Sequence, residues 1–388
     1  MNQYTVIGLM SGTSLDGLDI VCASFDYNKL PQGKPARNSL ETNFQFRDKP
    51  WGIKPFGGAN NDSWKFTILY KESIDYDATF KKKLKNTVHL NATELLHFHN
   101  EYGTWLGETV KQVIDKNKLS IDFVASHGHT VFHQPEIGLT YQIGSGQHLA
   151  NASGQKVICD FRNDVALGGQ GAPLVPIGDR LLFGEYDACL NLGGISNISF
   201  EKHKNRMAYD ISPANMLLNY LCAKIGKAYD KGGAIAQSGN LNKNLLNTLN
   251  DLEYYKLPFP KSLGYEWFVE KVIPIINNTN DTTENLLHTA VHHICDQLGF
   301  AVKKIGYDKT ELLITGGGAK NDFLIETLRQ KLVHHAQVII PSEEIIDFKE
   351  ALIFAFMGVL KDRNETNCLK SVTGAKTDSS SGVIFVPS

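Results

Sequence analysis

Near the start of the chain, Gly8-Leu9-Met10-Ser11-Gly12-Thr13-Ser14-Leu15-Asp16-Gly17-Leu18-Asp19 gathers glycines, hydroxyls and two carboxylates into one short run. Glycines let backbone N–H groups converge on an anion with no Cβ in the way, and Ser and Thr add hydroxyl donors. Carboxylates repel phosphate, so Asp16 and Asp19 are better suited to holding Mg²⁺ or its waters, which then bridge the phosphates. Two more glycine turns follow apolar runs, Asn191-Leu192-Gly193-Gly194 and Thr315-Gly316-Gly317-Gly318. One would be an ordinary turn, and three unrelated tight turns are the bland alternative. Three turns behind three apolar strands predict instead a nucleotide held by Gly12, Thr13, Ser14, Leu15, Asp16, Gly17, Leu18 and Asp19 together with Gly193, Gly194, Gly316, Gly317 and Gly318. The last three are expected to open a helix, whose N-terminal N–H groups suit phosphate. No GxxxxGK[ST] occurs, and no GxGxxG opens a helix, so neither a P-loop nor a dinucleotide fold is supported.

His127-Gly128-His129-Thr130-Val131-Phe132-His133 resembles the start of a metallo-hydrolase signature, but the Asp expected before the third His is missing. Substrate contact or a structural role fits these imidazoles better than metal ligation. Six cysteines lie scattered without CxxC spacing, mostly in apolar segments, and read as buried free thiols. A net charge of −2 provides no cationic field that would draw the chain onto nucleic acid or an acidic membrane. No signal peptide or membrane-spanning run is legible, so the expected compartment is the cytoplasm.

The elements that would position these residues are of α/β type. Residues 4–11 and 19–27 read as strands flanking the first turn, and 188–200 repeats that design, which suggests an internal duplication. Helical spacing of apolar residues runs from Thr93 to Asn117, a strand at 121–126 delivers the His segment, and 311–332 reads as strand, glycine turn and helix. A further apolar helix is expected at 349–360, while 28–78 reads as strands with long loops. The expected lobes are residues 1–135 with 345–388, and residues 136–344.

Taken in order, GLMSGTSLDGLD, SHGHTVFH, DFRNDVALGGQGAPLVP, LNLGGISNIS, YDISPAN, YDKGG, TGGGAKN and SVTGA resemble the anhydro-N-acetylmuramic acid kinases from residue 5 to about 386, outside 28–78. The resemblance implies a two-lobed RNase H-like (actin/hexokinase-like ATPase) fold with a central interlobe cleft, ATP and Mg²⁺, and 1,6-anhydro-N-acetylmuramic acid as substrate. Its product would be the 6-phosphate, within cell-wall sugar recycling. O6 of that sugar is tied up in an acetal, so water must add at C1 before O6 can attack the γ-phosphorus, and a carboxylate must act as base. The family's base is the Asp of DTGPGN. It matches Asp210 here, although Ile211, Ser212 and Ala214 depart from the pattern, and Asp210 alone would read as a helix N-cap. The family usually carries Gln where His129 stands. Candidates for the sugar are Arg162, Asp164, Gln170, Asn215 and the backbone of Gly168, Gly169 and Gly171, with Arg162 suited to a carboxylate fork. The implied partners are the amino sugar and ATP, with a homodimer left open. Rival readings are a related kinase with another acceptor, a non-catalytic ATP-binding sensor of the same fold and, more weakly, a glycosidase.

Overall fold

Two runs of apolar strand, glycine turn and apolar strand each start a sheet. The chain, a computed structural model described for residues 2–12, 17–28, 63–259, 261–307 and 309–388, divides into a first unit of Met1–Glu185 with Glu350–Ser388 and a second of Tyr186–Lys349.

In the first unit, β1 (Gln3–Ser11), β2 (Gly17–Asn28) and β3 (Ser63–Asp75) form an antiparallel meander. β4 (Phe123–Ser126) then pairs parallel with β1, while β5 (His129–Gln134) and β6 (Leu139–Ile143) make a separate ribbon. β7 (Val157–Cys159) lies parallel to β4, and β13 (Val383–Phe385) closes the edge antiparallel to β7. The crossing into the second unit therefore comes at Glu185, later than the expected residue 135, because β7 belongs to the first sheet. The return at Glu350 lies near the expected 345.

β1 is buried on both faces, as a central strand must be when helices cover each side. Ile7 and Leu9 meet Phe98, Leu106 and Val110 of α1 (Ala92–Asn117), whose start carries a reciprocal cap between Asn91 and Glu94. The other face meets the apolar half of a later helix that spans Glu343–Asp362. There Gly8 is obligatory, since a Cβ would stand 2.1 Å from Ala351 O and 2.9 Å from Ala355 Cβ.

The second unit repeats the plan with β8 (Ala188–Leu192), β9 (Ile195–Lys202), β10 (Asn205–Pro213), β11 (Thr310–Thr315) and β12 (Ala336–Ile339). Its order is β10-β9-β8-β11-β12, with β8 parallel to β11 and antiparallel to β9; the first sheet runs β3-β2-β1-β4-β7 in the same sense. This shared order, with its second strand antiparallel, is the RNase H-like arrangement in duplicate. One face of the second sheet packs on α2 (Asn215–Ala223), α3 (Thr283–Lys303) and α4 (Asp322–Leu332) through Leu190, Leu192, Leu217, Ile294 and Leu324. The Glu343–Asp362 helix is α5. All six cysteines are buried and free. Among the described residues no helix is long and apolar enough to cross a membrane.

Candidate active site

In the second unit the glycine turns that end β8 and β11 pack against each other. Gly316 has φ 82°, and a Cβ there would lie 2.3 Å from Asn191 Oδ1; one on Gly318 would lie 2.7 Å from Leu192 Cβ. Gly317 alone has room, its nearest neighbour being Asn215 Nδ2 at 3.7 Å. The three glycines lead into a short 3₁₀ turn at Gly317–Lys320, and α4 starts only after Asn321, whose side chain accepts from Leu324 N at 3.0 Å. Gly233, from the YDKGG loop, sits so close to Asn321 that a Cβ would meet its Oδ1 at 2.3 Å.

Gly193 and Gly194 act through their carbonyls, which accept from Asn215 N at 3.1 Å and from Ala214 N and Met216 N at 2.8 and 3.0 Å. These bonds satisfy the start of α2, so its first donors are already used. Asn215 donates its amide to Leu192 O at 2.9 Å, which places it with the glycine turns.

Asp210 lies in β10 beside a bulge and caps no helix. Its N–H donates to Lys261 O at 3.1 Å, and its carbonyl accepts from Tyr254 Oη at 2.6 Å. One carboxylate oxygen, Oδ2, accepts from Leu263 N at 2.9 Å. Burial raises the carboxyl to about 6, opposed by the Leu263 bond. Lys261 donates to Tyr254 O at 2.9 Å and is lowered to about 8 by burial and by Lys304. Sequence reasoning missed Tyr254, Lys261 and Leu263, because this loop has no periodicity and reaches Asp210 only through the fold.

The departures at Ser212 and Ala214 are absorbed locally. Ser212 pairs with buried Ser196, whose Oγ donates to Ser212 O at 2.9 Å, and neither Ser212 nor Ala214 needs a positive φ. The strand register sets Asp210 opposite Asn197, Asn197 opposite Asn191, and Asn191 opposite Thr315. At about 4.8 Å per strand the row from Asp210 to the Gly316 turn spans roughly 14 Å, room for a sugar and a phosphoryl group. A half-buried carboxyl stands at one end and a backbone turn at the other.

The first unit places Arg162 against His127. Arg162 Nε and Nη2 lie 3.0 and 2.9 Å from His127 Nε2, and Nη1 donates to Gly171 O at 2.6 Å. Asp164 is 1% exposed and lies beside Thr373 and Cys368. It lies under Gly169, where a Cβ would stand 2.6 Å from Oδ2, and burial raises its carboxyl. Exposed Gln170 donates its backbone N–H to Thr373 O at 2.7 Å, tying this loop to the SVTGA segment. His129 Nδ1 lies 3.3 Å from Ser11 Oγ in a buried chain that continues to Tyr76 and Tyr102, and burial lowers it to about 4.

Of the first turn, Gly12, Gly17, Leu18 and Asp19 belong to this unit, with the Asp19 carboxylate accepting from Ser73 Oγ. Thr13, Ser14, Leu15 and Asp16 lie outside the described residues.

Residues 59–387 match the sequence model of a family described as anhydro-N-acetylmuramic acid kinase. The chain is 34% identical to the anhydro-N-acetylmuramic acid kinase of Aliivibrio fischeri across 99% of each chain. It is 33% identical to the one of Actinobacillus pleuropneumoniae, across 99% of this chain and 100% of that one. Among solved structures it is similar to the ADPNP-bound activator of the 2-hydroxyisocaproyl-CoA dehydratase from Clostridium difficile, 12% identical at TM-score 0.43 over 92% and 97% of the two chains. At that distance the strand order itself carries the fold assignment.

Proposed function

Since the chain belongs to the anhydro-N-acetylmuramic acid kinase family, we propose that this ATP-dependent sugar kinase opens the 1,6-anhydro ring of anhydro-N-acetylmuramic acid and phosphorylates O6. The products are N-acetylmuramic acid 6-phosphate and ADP. The observation that carries this reading is Asp210: a carboxylate held through one oxygen by Leu263 N–H and raised to about 6, the range in which a general base works near neutral pH.

In the reaction, Asp210 takes a proton from water as the water oxygen bonds to C1. The C1–O6 bond breaks, O6 bonds to the γ-phosphorus, and the bond from phosphorus to the β-phosphate oxygen breaks to release ADP. Gly193, Gly194 and Gly316 to Gly318 would shape the nucleotide end in the second unit, together with Asn215; Gly12 to Asp19 would do so in the first. Mg²⁺ would neutralise phosphate charge, reached through water by Asp19 and Asp16. Asp19, already fixed by Ser73, fits a water-mediated hold better than direct ligation. Arg162 would take the lactyl carboxylate, with Gln170 and the Gly169 backbone beside it. Asp164, being buried, would support that loop from below. Buried free cysteines suit a cytoplasmic location.

Reaction in ¹⁸O-water tests the proposal: label at the anomeric oxygen of a phosphorylated product is expected. Phosphorylation without label rejects coupled ring opening. Nucleotide binding with no ADP release on any amino sugar would favour a sensor.

A further inference from the structure

While the nearby carboxylates of Glu350 and Asp164 favour the charged form of the Arg162 guanidinium, the three hydrogen bonds that hold it all run to neutral acceptors. Two of them converge on one atom, His127 Nε2. A nitrogen that accepts two N–H donors must present its lone pair, so the ring proton belongs on Nδ1. There Gly128 O waits at 2.9 Å. The backbone is anchored by His127 N donating to Leu9 O at 3.1 Å, and the imidazole packs with its centroid 4.6 Å from that of the Phe354 ring. Burial, and then the Arg162 charge itself, push His127 well below its ordinary value, which keeps the ring neutral.

Arg has five N–H groups, and His127 and Gly171 O consume three of them. One remains on each of Nη1 and Nη2, the pair a carboxylate accepts side by side.

We propose that His127 is a positioning residue for the sugar: as a neutral imidazole carrying its proton on Nδ1, it fixes Arg162 so that the remaining N–H pair faces the lactyl carboxylate of the substrate. This rests on the reading of Arg162 given above. Steady-state kinetics of His127→Phe, His127→Gln, Arg162→Ala and the Phe/Ala double variant separate the two claims. Losing a hydrogen bond to a charged group should raise the sugar KM of His127→Phe about tenfold or more, with kcat and the ATP KM within about twofold. The Gln variant, which keeps an acceptor, should recover most of the loss, and the double variant should be no worse than Arg162→Ala. An unchanged sugar KM in Arg162→Ala overturns the Arg162 reading and the proposal with it. A raised KM there with none in His127→Phe, or effects that multiply, overturns only the positioning role. Ring-¹⁵N histidine NMR of the unmutated protein needs no variant to fold. A bare Nε2 with a protonated Nδ1 is expected for His127, and the opposite tautomer rejects the proposal.

Discussion

The two units share a strand order and use glycine and charge in opposite ways. In the first, Gly8 lets α5 approach β1, and the segment after β4 supplies an imidazole, His127, that holds the Arg162 cation. In the second, the segment after β11 is nearly bare backbone, Gly316 and Gly318 let two turns touch, and the prominent side chain is a half-buried carboxylate. The duplicated sheet sets its glycine and histidine turns at the ends of parallel strands, while Asp210 stands apart on the antiparallel edge strand β10. On the proposed reading, the first unit presents positive charge and the second accepts a proton.

The sharpest way to break that contrast is Asp210→Asn. If the second unit supplies the base, turnover should fall about 1,000-fold while calorimetry finds ATP affinity within about twofold. Near-full activity would move the base elsewhere.

Glycine substitutions come next. Gly8→Ala would drive a Cβ into the Ala351 carbonyl and should cost about 3 kcal/mol or more in denaturant unfolding. Gly317→Ala has ordinary contact distances and should change stability by less than about 0.5 kcal/mol. If phosphate lies against that turn, the same variant should still raise the ATP KM about tenfold. An unchanged KM would detach the nucleotide from the second unit's turn.

pH sharpens the contrast in charge. The Asp210 carboxyl lies near 6 in the folded chain and about 3.9 when unfolded. Between those values the folded chain holds a proton that the unfolded chain has released, so this group's contribution to stability is lost as pH rises from about 4 to 6. Asp210→Asn should therefore be more stable than the parent by up to about 3 kcal/mol at pH 8, with the gap closing near pH 4. Turnover moves the other way, falling as pH drops through about 6. A gap that does not close on acidification would rule out the raised carboxyl. The smallest effect is that of Tyr254→Phe, which removes the bond to Asp210 O and should cost about 1 kcal/mol in thermal unfolding.

Both hairpins, the helix at 92–117 and the apolar half of α5 were legible because each follows a simple period or ends in glycine. The repeated strand, turn and strand design was legible as a duplication, while the RNase H-like fold was legible only through the family resemblance. The crossing at Glu185 was not, since β7 is only three residues long and joins its sheet by parallel pairing, which leaves no local signal. Asp210 was legible only through the family motif. Its environment comes from residues more than forty positions away, such as Tyr254 and Leu263, which no spacing connects to it. Asp164 looked like a ligand by composition, yet burial beneath Gly169 separates it from solvent. His127 hid inside a pattern that suggested a metal, when what it needed was an arginine partner.

The six thiols divide evenly: Cys22, Cys159 and Cys368 in the first unit, Cys189, Cys222 and Cys295 in the second. Each is sealed from solvent, so an alkylating reagent can mark one only after its own unit has opened. The chain thus carries a built-in recorder, three marks to a unit. Mass spectrometry of timed labelling would read whether the two halves come apart together or in turn.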